Sequence, residues 1–324
     1  MRRLLVAACV GLLAAALLLW FDLDRRWNRE APAGAATVEV EIPRGASLAA
    51  AAGRLEAAGV IDSASGFRLA ARLLGGSQPI RFGTYAFPRG AGYGEVLGKL
   101  QRGEVLTLFL TIPEGLPAVL VHERLMAAPR LTGDIEVPAE GSVLPATFDY
   151  RPGESRAALL ARMQEEMAAT LAELWPKRSP HAAVRTPQEA VILASIVEKE
   201  TAVPAERRRV AGLYSNRLRA GMKLEADPTV IYPVTRGRPL GRRIRASELK
   251  ADTGWNTYAR PGLPKGPIAN PGRASLEAVL DPEPHDFLFM VADGSGGHAF
   301  ARTYAEHRAN VERWYALRRA RGEM

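Results

Sequence analysis

Thr186-Pro-Gln-Glu-Ala-Val-Ile-Leu-Ala-Ser-Ile-Val-Glu-Lys-Glu-Thr201 carries the strongest helix signal in the chain. Thr186 suits the N-cap, Pro187 the first helical position, and Glu189 completes a capping box. The apolar residues Val191, Ile192, Leu193, Ile196 and Val197 follow. Two carboxylates close the segment, Glu198 and Glu200. At 100° per residue they point about 160° apart. The residues three, four and seven before Glu200 are Val197, Ile196 and Leu193, so Glu200 continues the stripe that packs inward. Those before Glu198 are Ser195, Ala194 and Val191, a smaller and mixed face. A carboxyl half-sheltered by apolar neighbours has a raised pKa and holds a proton it can donate near neutral pH.

Outward from this helix, the surrounding pattern is mostly helical. Helices are expected at about Ala157–Leu174, Pro187–Val203 and Ala205–Ala220, with a final one at Tyr304–Arg319. Asp286–Val291 reads as a short strand. Between Gly221 and Gly272 the chain is rich in Gly, Pro and polar turns, the composition of loops that carry binding sites. Upstream, Val38, Val40 and Ile42 alternate with polar residues as a strand does. A helix from Ser47 to Ala58, another ending at Gly75-Gly76, a strand at Phe82–Phe87, a helix around Tyr93–Leu100 and a strand at Val105–Ile112 follow. That order, β-α-α-β-α-β, is a small α+β module.

Leu4–Phe21 is an uncharged apolar run of about 18 residues, close to the length that spans a bilayer core. A cleaved signal peptide is the alternative. Its apolar region is normally shorter and ends in small residues, whereas this one ends Leu17-Leu18-Leu19-Trp20-Phe21, so an uncleaved anchor is favoured. The resulting division is 1–29 stub and anchor, 30–37 linker, 38–112 module and 113–324 catalytic domain. The fold class is α+β throughout.

The chain has 324 residues and a net charge of +8, which suits either nucleic acid or an anionic surface. The basic residues are scattered and no nucleic-acid motif occurs, so nucleic acid is excluded as the partner. The single cysteine, Cys9, allows neither an internal disulfide nor a cysteine metal site. His298 and His307 lack a third ligand by motif and read as structural or binding histidines, so no metal and no cofactor is expected.

Further stretches complete a pattern: Arg217-Leu218, Gly221-Met222, Leu224 with Asp227-Pro228-Thr229-Val230 and Tyr232, Asn256-Thr257-Tyr258, Gly262-Leu263-Pro264, Gly266-Pro267-Ile268, Asn270-Pro271-Gly272, Gly297-His298 with Phe300, and His307. Together with Ser195–Thr201, in this order and spacing, the chain resembles the endolytic murein transglycosylases, the MltG or YceG-like family. The resemblance implies a LysM-like module before the catalytic region. It also implies a single catalytic glutamate, the second of Glu198-Lys199-Glu200, which is the residue chosen above on helical geometry.

The implied activity is cleavage of the β-1,4 bond between N-acetylmuramic acid and N-acetylglucosamine, with a 1,6-anhydro end as product. The implied setting is the inner membrane, with the bulk of the chain in the periplasm. Glycan strands, the membrane and cell-wall synthesis complexes are the expected partners. A hydrolytic muramidase and a non-catalytic wall-binding scaffold are the competing readings. Glu140, Asn216, Asp227, Thr229, Tyr232, Asn256 and Tyr258 are the polar candidates for a substrate cleft, Asp227 being equally a turn residue before Pro228. Three positions depart from the family pattern: Ala146 stands for an acidic residue, Trp255 for Tyr and Lys265 for Pro.

Overall fold

In the computed structural model, which describes residues 2–323, the chain opens with one helix, α1 (Arg2–Trp27). Its Leu5–Trp27 portion, 23 residues with an 18-residue stretch at a mean hydropathy of 2.3, is long and apolar enough to cross a membrane. Leu12, Leu18 and Phe21 are exposed along it. The last turns differ: Leu23 is buried and Trp27 packs beside it in the core of the unit that follows.

That first unit comprises residues 1–108 with 150–152. It contains β1 (Thr37–Ile42), α2 (Leu48–Ala57), α3 (Ala64–Leu74), β2 (Gly83–Pro88) and α4 (Tyr93–Arg102). Ser47 and Ser63 cap α2 and α3 by accepting the amides of Ala50 and Gly66 at 3.2 and 3.1 Å. β1 and β2 pair antiparallel from Thr37 opposite Pro88 to Ile42 opposite Gly83. The period-two alternation sends Val40, Ile42, Tyr85 and Phe87 inward, onto Leu55, Phe67, Val96 and Leu100. Each such side chain contributes about 1.5–3 kcal/mol of burial energy.

The strand expected at Val105–Ile112 is shorter, β3 (Leu108–Thr111), and does not join this sheet. Val105 folds back on Gly103, and its side chain lies where a Cβ at Gly83 would fall. β3 pairs instead with β4 (Thr147–Tyr150).

The second unit comprises 109–149 and 153–324. Its helices are α5 (Ala118–Ala127), α6 (Arg156–Leu174), α7 (Pro187–Glu200), α8 (Arg207–Arg219), α9 (Asp227–Thr235), α10 (Ala246–Lys250), α11 (Arg273–Leu280) and α12 (Tyr304–Ala320). An antiparallel hairpin, β5 (Phe289–Ala292) with β6 (His298–Ala301), precedes α12.

α7 is the axis of the unit. Every residue from Ala190 to Val197 is buried, and α8, α9 and α11 pack around it. A helix apolar on all sides belongs in a core. Thr186 caps it by accepting the Glu189 amide at 3.1 Å. The Glu189 carboxylate turns back one residue further than a capping box requires and accepts the Arg185 amide at 2.6 Å.

The helix ends at Glu200 rather than Val203. Pro204 forces the residue before it out of the helical region, and Thr201 and Val203 are both extended. The Gly221–Gly272 stretch, read as loop, contains α9, which tolerates Pro233 in its last turn.

Candidate active site

Because α7 stops at Glu200, this side chain emerges at the floor of a cavity of about 630 Å³ within the second unit. α8 contributes Leu213, Tyr214 and Arg217, which recur at helical spacing and so share a face. The following turn adds Leu224, Glu225 and Asp227, and Tyr258 comes from the loop after α10. The hairpin supplies Met290 and His298, and α12 supplies His307, Trp314 and Tyr315.

Glu200 keeps part of its surface open, yet its Oε1 is enclosed and has no hydrogen-bond partner. Burial pushes its carboxyl up to about 7, and the negative charge of Asp227 adds to the shift. The Tyr214 hydroxyl and the Arg217 charge oppose it. Tyr214 is itself held far above its ordinary pKa by burial and by Glu200, so it stays a donor.

Asp227 accepts the Tyr258 hydroxyl at 2.6 Å. Burial, then this bond, pushes the Tyr258 phenol up, so the pair stays a neutral donor on a carboxylate. Arg217 is buried and fixed by the carbonyls of Leu288 (2.6 Å), Lys223 and Leu224 (both 3.0 Å). Glu225 also accepts from Arg217, at 3.0 Å, so the cavity lining holds the protonatable Glu200, the acidic side chains of Asp227 and Glu225, and the buried, fixed Arg217, with Arg318 as a further basic residue.

Glu198 does not share it. Its Oε2 accepts the Gly272 amide at 2.9 Å on another face of α7.

Of the residues expected to line a cleft, Asp227 and Tyr258 join Glu200, and the others are engaged elsewhere. Asn216 donates to the carbonyls of His285 and Phe287 at 2.7 and 3.0 Å. Asn256 donates to the carbonyls of Glu248, Leu249 and Ala251 and accepts the Tyr258 amide. Thr229 is fully buried, bonded to the Ala226 carbonyl and the Thr257 hydroxyl.

Glu140 accepts the Ala118 amide at 2.8 Å, capping α5, whose own N-cap is Pro117. Burial raises its pKa to about 7, against the Ala118 amide and the Tyr232 hydroxyl, which favour the charged form. Tyr232 packs against Trp255 beside that cluster. These five residues shape the scaffold around the cavity rather than its lining.

Tyr214, Glu225, Trp314 and Tyr315 line the cavity without having been singled out. For Tyr214 the signal was present, three residues before Arg217 on a helix. For Trp314 and Tyr315, in an ordinary amphipathic helix, there was none.

The profile of the YceG-like family matches residues 40–313. A Bacillus subtilis (strain 168) protein named endolytic murein transglycosylase is 27% identical over 310 residues, covering 86% of this chain and 85% of its own. A protein of the same name from Streptococcus pneumoniae serotype 2 is 30% identical over 179 residues, 53% of this chain and 31% of that longer protein. The 2.6 Å crystal structure of a yceG-like protein from Listeria monocytogenes superposes with a TM-score of 0.53 at 26% identity, covering 85% of this chain and 99% of that one. With the family profile spanning all but the two ends, the chain belongs to the YceG-like family.

Proposed function

We propose that this chain is an endolytic peptidoglycan lytic transglycosylase, held by α1 in the inner membrane with the bulk of the chain in the periplasm, and that Glu200 is its catalytic acid and base. The observation that carries the reading is the Glu200 carboxyl: enclosed, unpartnered at Oε1, and raised to about 7 at the floor of a cavity. The names of the relatives support the substrate.

The chemistry runs as follows. Glu200 starts protonated and gives its proton to the glycosidic oxygen as the bond from muramyl C1 to that oxygen breaks. Its carboxylate then takes the proton of the muramyl C6 hydroxyl, whose oxygen bonds to C1. The proton lost is regained, no water is consumed, and a 1,6-anhydro end results. Glycosidases that form a covalent enzyme intermediate or activate water use two carboxyl groups. Here the nucleophile belongs to the substrate, so one acid/base group suffices. Asp227, steadied by Tyr258, favours the positive charge that builds at C1. Tyr214 and Arg217 favour the ionised Glu200 left after the first transfer.

The β-α-α-β order of the first unit supports a LysM-like, glycan-binding role for it. The division at a linker over 30–37 and the recruitment of cell-wall synthesis complexes remain part of the same proposal.

The test is digestion of purified glycan strands with the products weighed. Fragments ending in anhydro sugar, with masses that add up to the mass of the strand cut, are expected. Fragments heavier by one water identify a muramidase, and strand binding without fragments identifies a scaffold.

A further inference from the structure

His298 opens β6 and lines the Glu200 cavity. Its ring is not free to turn. Nδ1 lies 2.9 Å from Glu206 Oε2, and the His298 backbone amide donates to Glu206 Oε1 at 3.0 Å. Both carboxylate oxygens of Glu206 are thus engaged by one residue. The two side chains are only 16% and 15% exposed.

The approach is made possible by Gly297, where a Cβ would come within 2.6 Å of Glu206 Oε1. Glu206 ends the short 3-10 turn Pro204–Glu206 that follows α7. The segment leaving the helix of Glu200 therefore grips the hairpin that forms another wall of the same cavity.

A carboxylate acceptor requires the proton on Nδ1, so the neutral ring presents Nε2 as an acceptor. Nε2 has no partner among the described residues and is not one of the enclosed unpartnered atoms. A ring oriented by a buried carboxylate, with its other nitrogen open to the cavity, has the form of a preset hydrogen-bonding group.

We infer that His298, locked by Glu206, is a substrate-binding residue whose Nε2 accepts a hydrogen bond from a hydroxyl or acetamido N–H of the amino sugar bound beside Glu200. This rests on the proposed function for the identity of the sugar. The alternative is that the pair only latches the hairpin to the turn after α7.

Two substitutions separate these roles. His298→Asn places an amide N–H where Nδ1 was, keeps the bond to Glu206 and the backbone bond, and removes Nε2. His298→Gln reaches the position of Nε2 with a polar group. Affinity for muramyl-containing glycan fragments is measured on full-length protein carrying Glu200→Gln, so that turnover does not enter. Melting temperatures are recorded alongside, and KM and kcat are measured with Glu200 restored.

The expected result is about tenfold weaker binding for His298→Asn with an unchanged melting temperature, partial rescue by His298→Gln, and a rise in KM larger than the fall in kcat. Unchanged affinity in His298→Asn overturns the inference and leaves the latch. Because binding is read without cleavage, a wild-type protein that binds but does not cut defeats the proposed function while leaving this inference standing on the affinities.

Discussion

Glu198 and Glu200 stand two residues apart on one helix and meet different surroundings: Glu198 accepts the Gly272 amide at 2.9 Å, while Glu200 ends at the cavity with Oε1 unpartnered. The separation follows from helical geometry alone. It makes one carboxylate a structural tie and leaves the other to hold a proton.

Glu198→Ala therefore costs stability rather than chemistry. The Gly272 amide loses its acceptor, a loss of about 1–3 kcal/mol. Urea unfolding should show it, while kcat on glycan strands stays within about threefold of wild type, well short of the loss of about 10²–10⁴ that removing an acid/base group causes. A loss of activity as large as that of Glu200→Gln contradicts the division of roles.

The raised pKa of Glu200 has consequences for both rate and stability. The acid step needs the protonated form, so kcat/KM falls as pH rises through about 7. For stability, the folded pKa lies above the unfolded value of 4.5. The favourable contribution is full below pH 4.5 and is lost as pH rises to about 7. Glu200→Gln, which never ionises, should gain stability over wild type between pH 5 and 8, on the order of 2–3 kcal/mol. Melting temperatures of the two proteins that stay parallel across this range contradict the burial of the carboxyl.

Asp227 is the charged neighbour that lifts Glu200 further. Asp227→Asn should move the high-pH limb of the rate profile downward and lower kcat roughly 10- to 100-fold through the lost charge at C1. Tyr258→Phe, which removes only the 2.6 Å bond to Asp227, should have a smaller effect in kcat. A pH profile that does not move on Asp227→Asn removes Asp227 from the electrostatics of the site.

Asn256 tests the scaffold. Its amide donates to the carbonyls of Glu248, Leu249 and Ala251 at 3.1, 3.0 and 2.8 Å. Asn256→Ala leaves these groups and the Tyr258 amide without that partner, and should lower unfolding free energy by roughly 2–3 kcal/mol. The kcat of the fraction that remains folded should change little.

These contrasts also mark what was legible in the sequence. The α7 helix was, because its cap and its apolar run are local signals, although its end was expected at Val203 and Pro204 brings it back to Glu200. The inward direction of Glu200 followed from residues on its own helix, whereas Tyr214, Arg217 and Asp227 reach it from other elements. The role of Asn256 was not legible, since a buried asparagine that holds loop carbonyls and one that holds an acetamido group look alike in one dimension. Glu140 bonds to Asn270, 130 positions away, and only folding brings them together. Of the β5–β6 hairpin, the strand expected at Asp286–Val291 overlaps β5, whereas β6, with 4 residues after a glycine-rich turn, gives too short an alternation to be read.

Weighing the products of purified glycan strands after incubation with wild-type and Glu200→Gln proteins bears most directly on the central claim. Wild type should release anhydro-ended fragments, and Glu200→Gln should release none while binding strands and melting no lower than wild type at pH 7. Comparable fragment release by Glu200→Gln would contradict the assignment of the acid and base to this carboxyl.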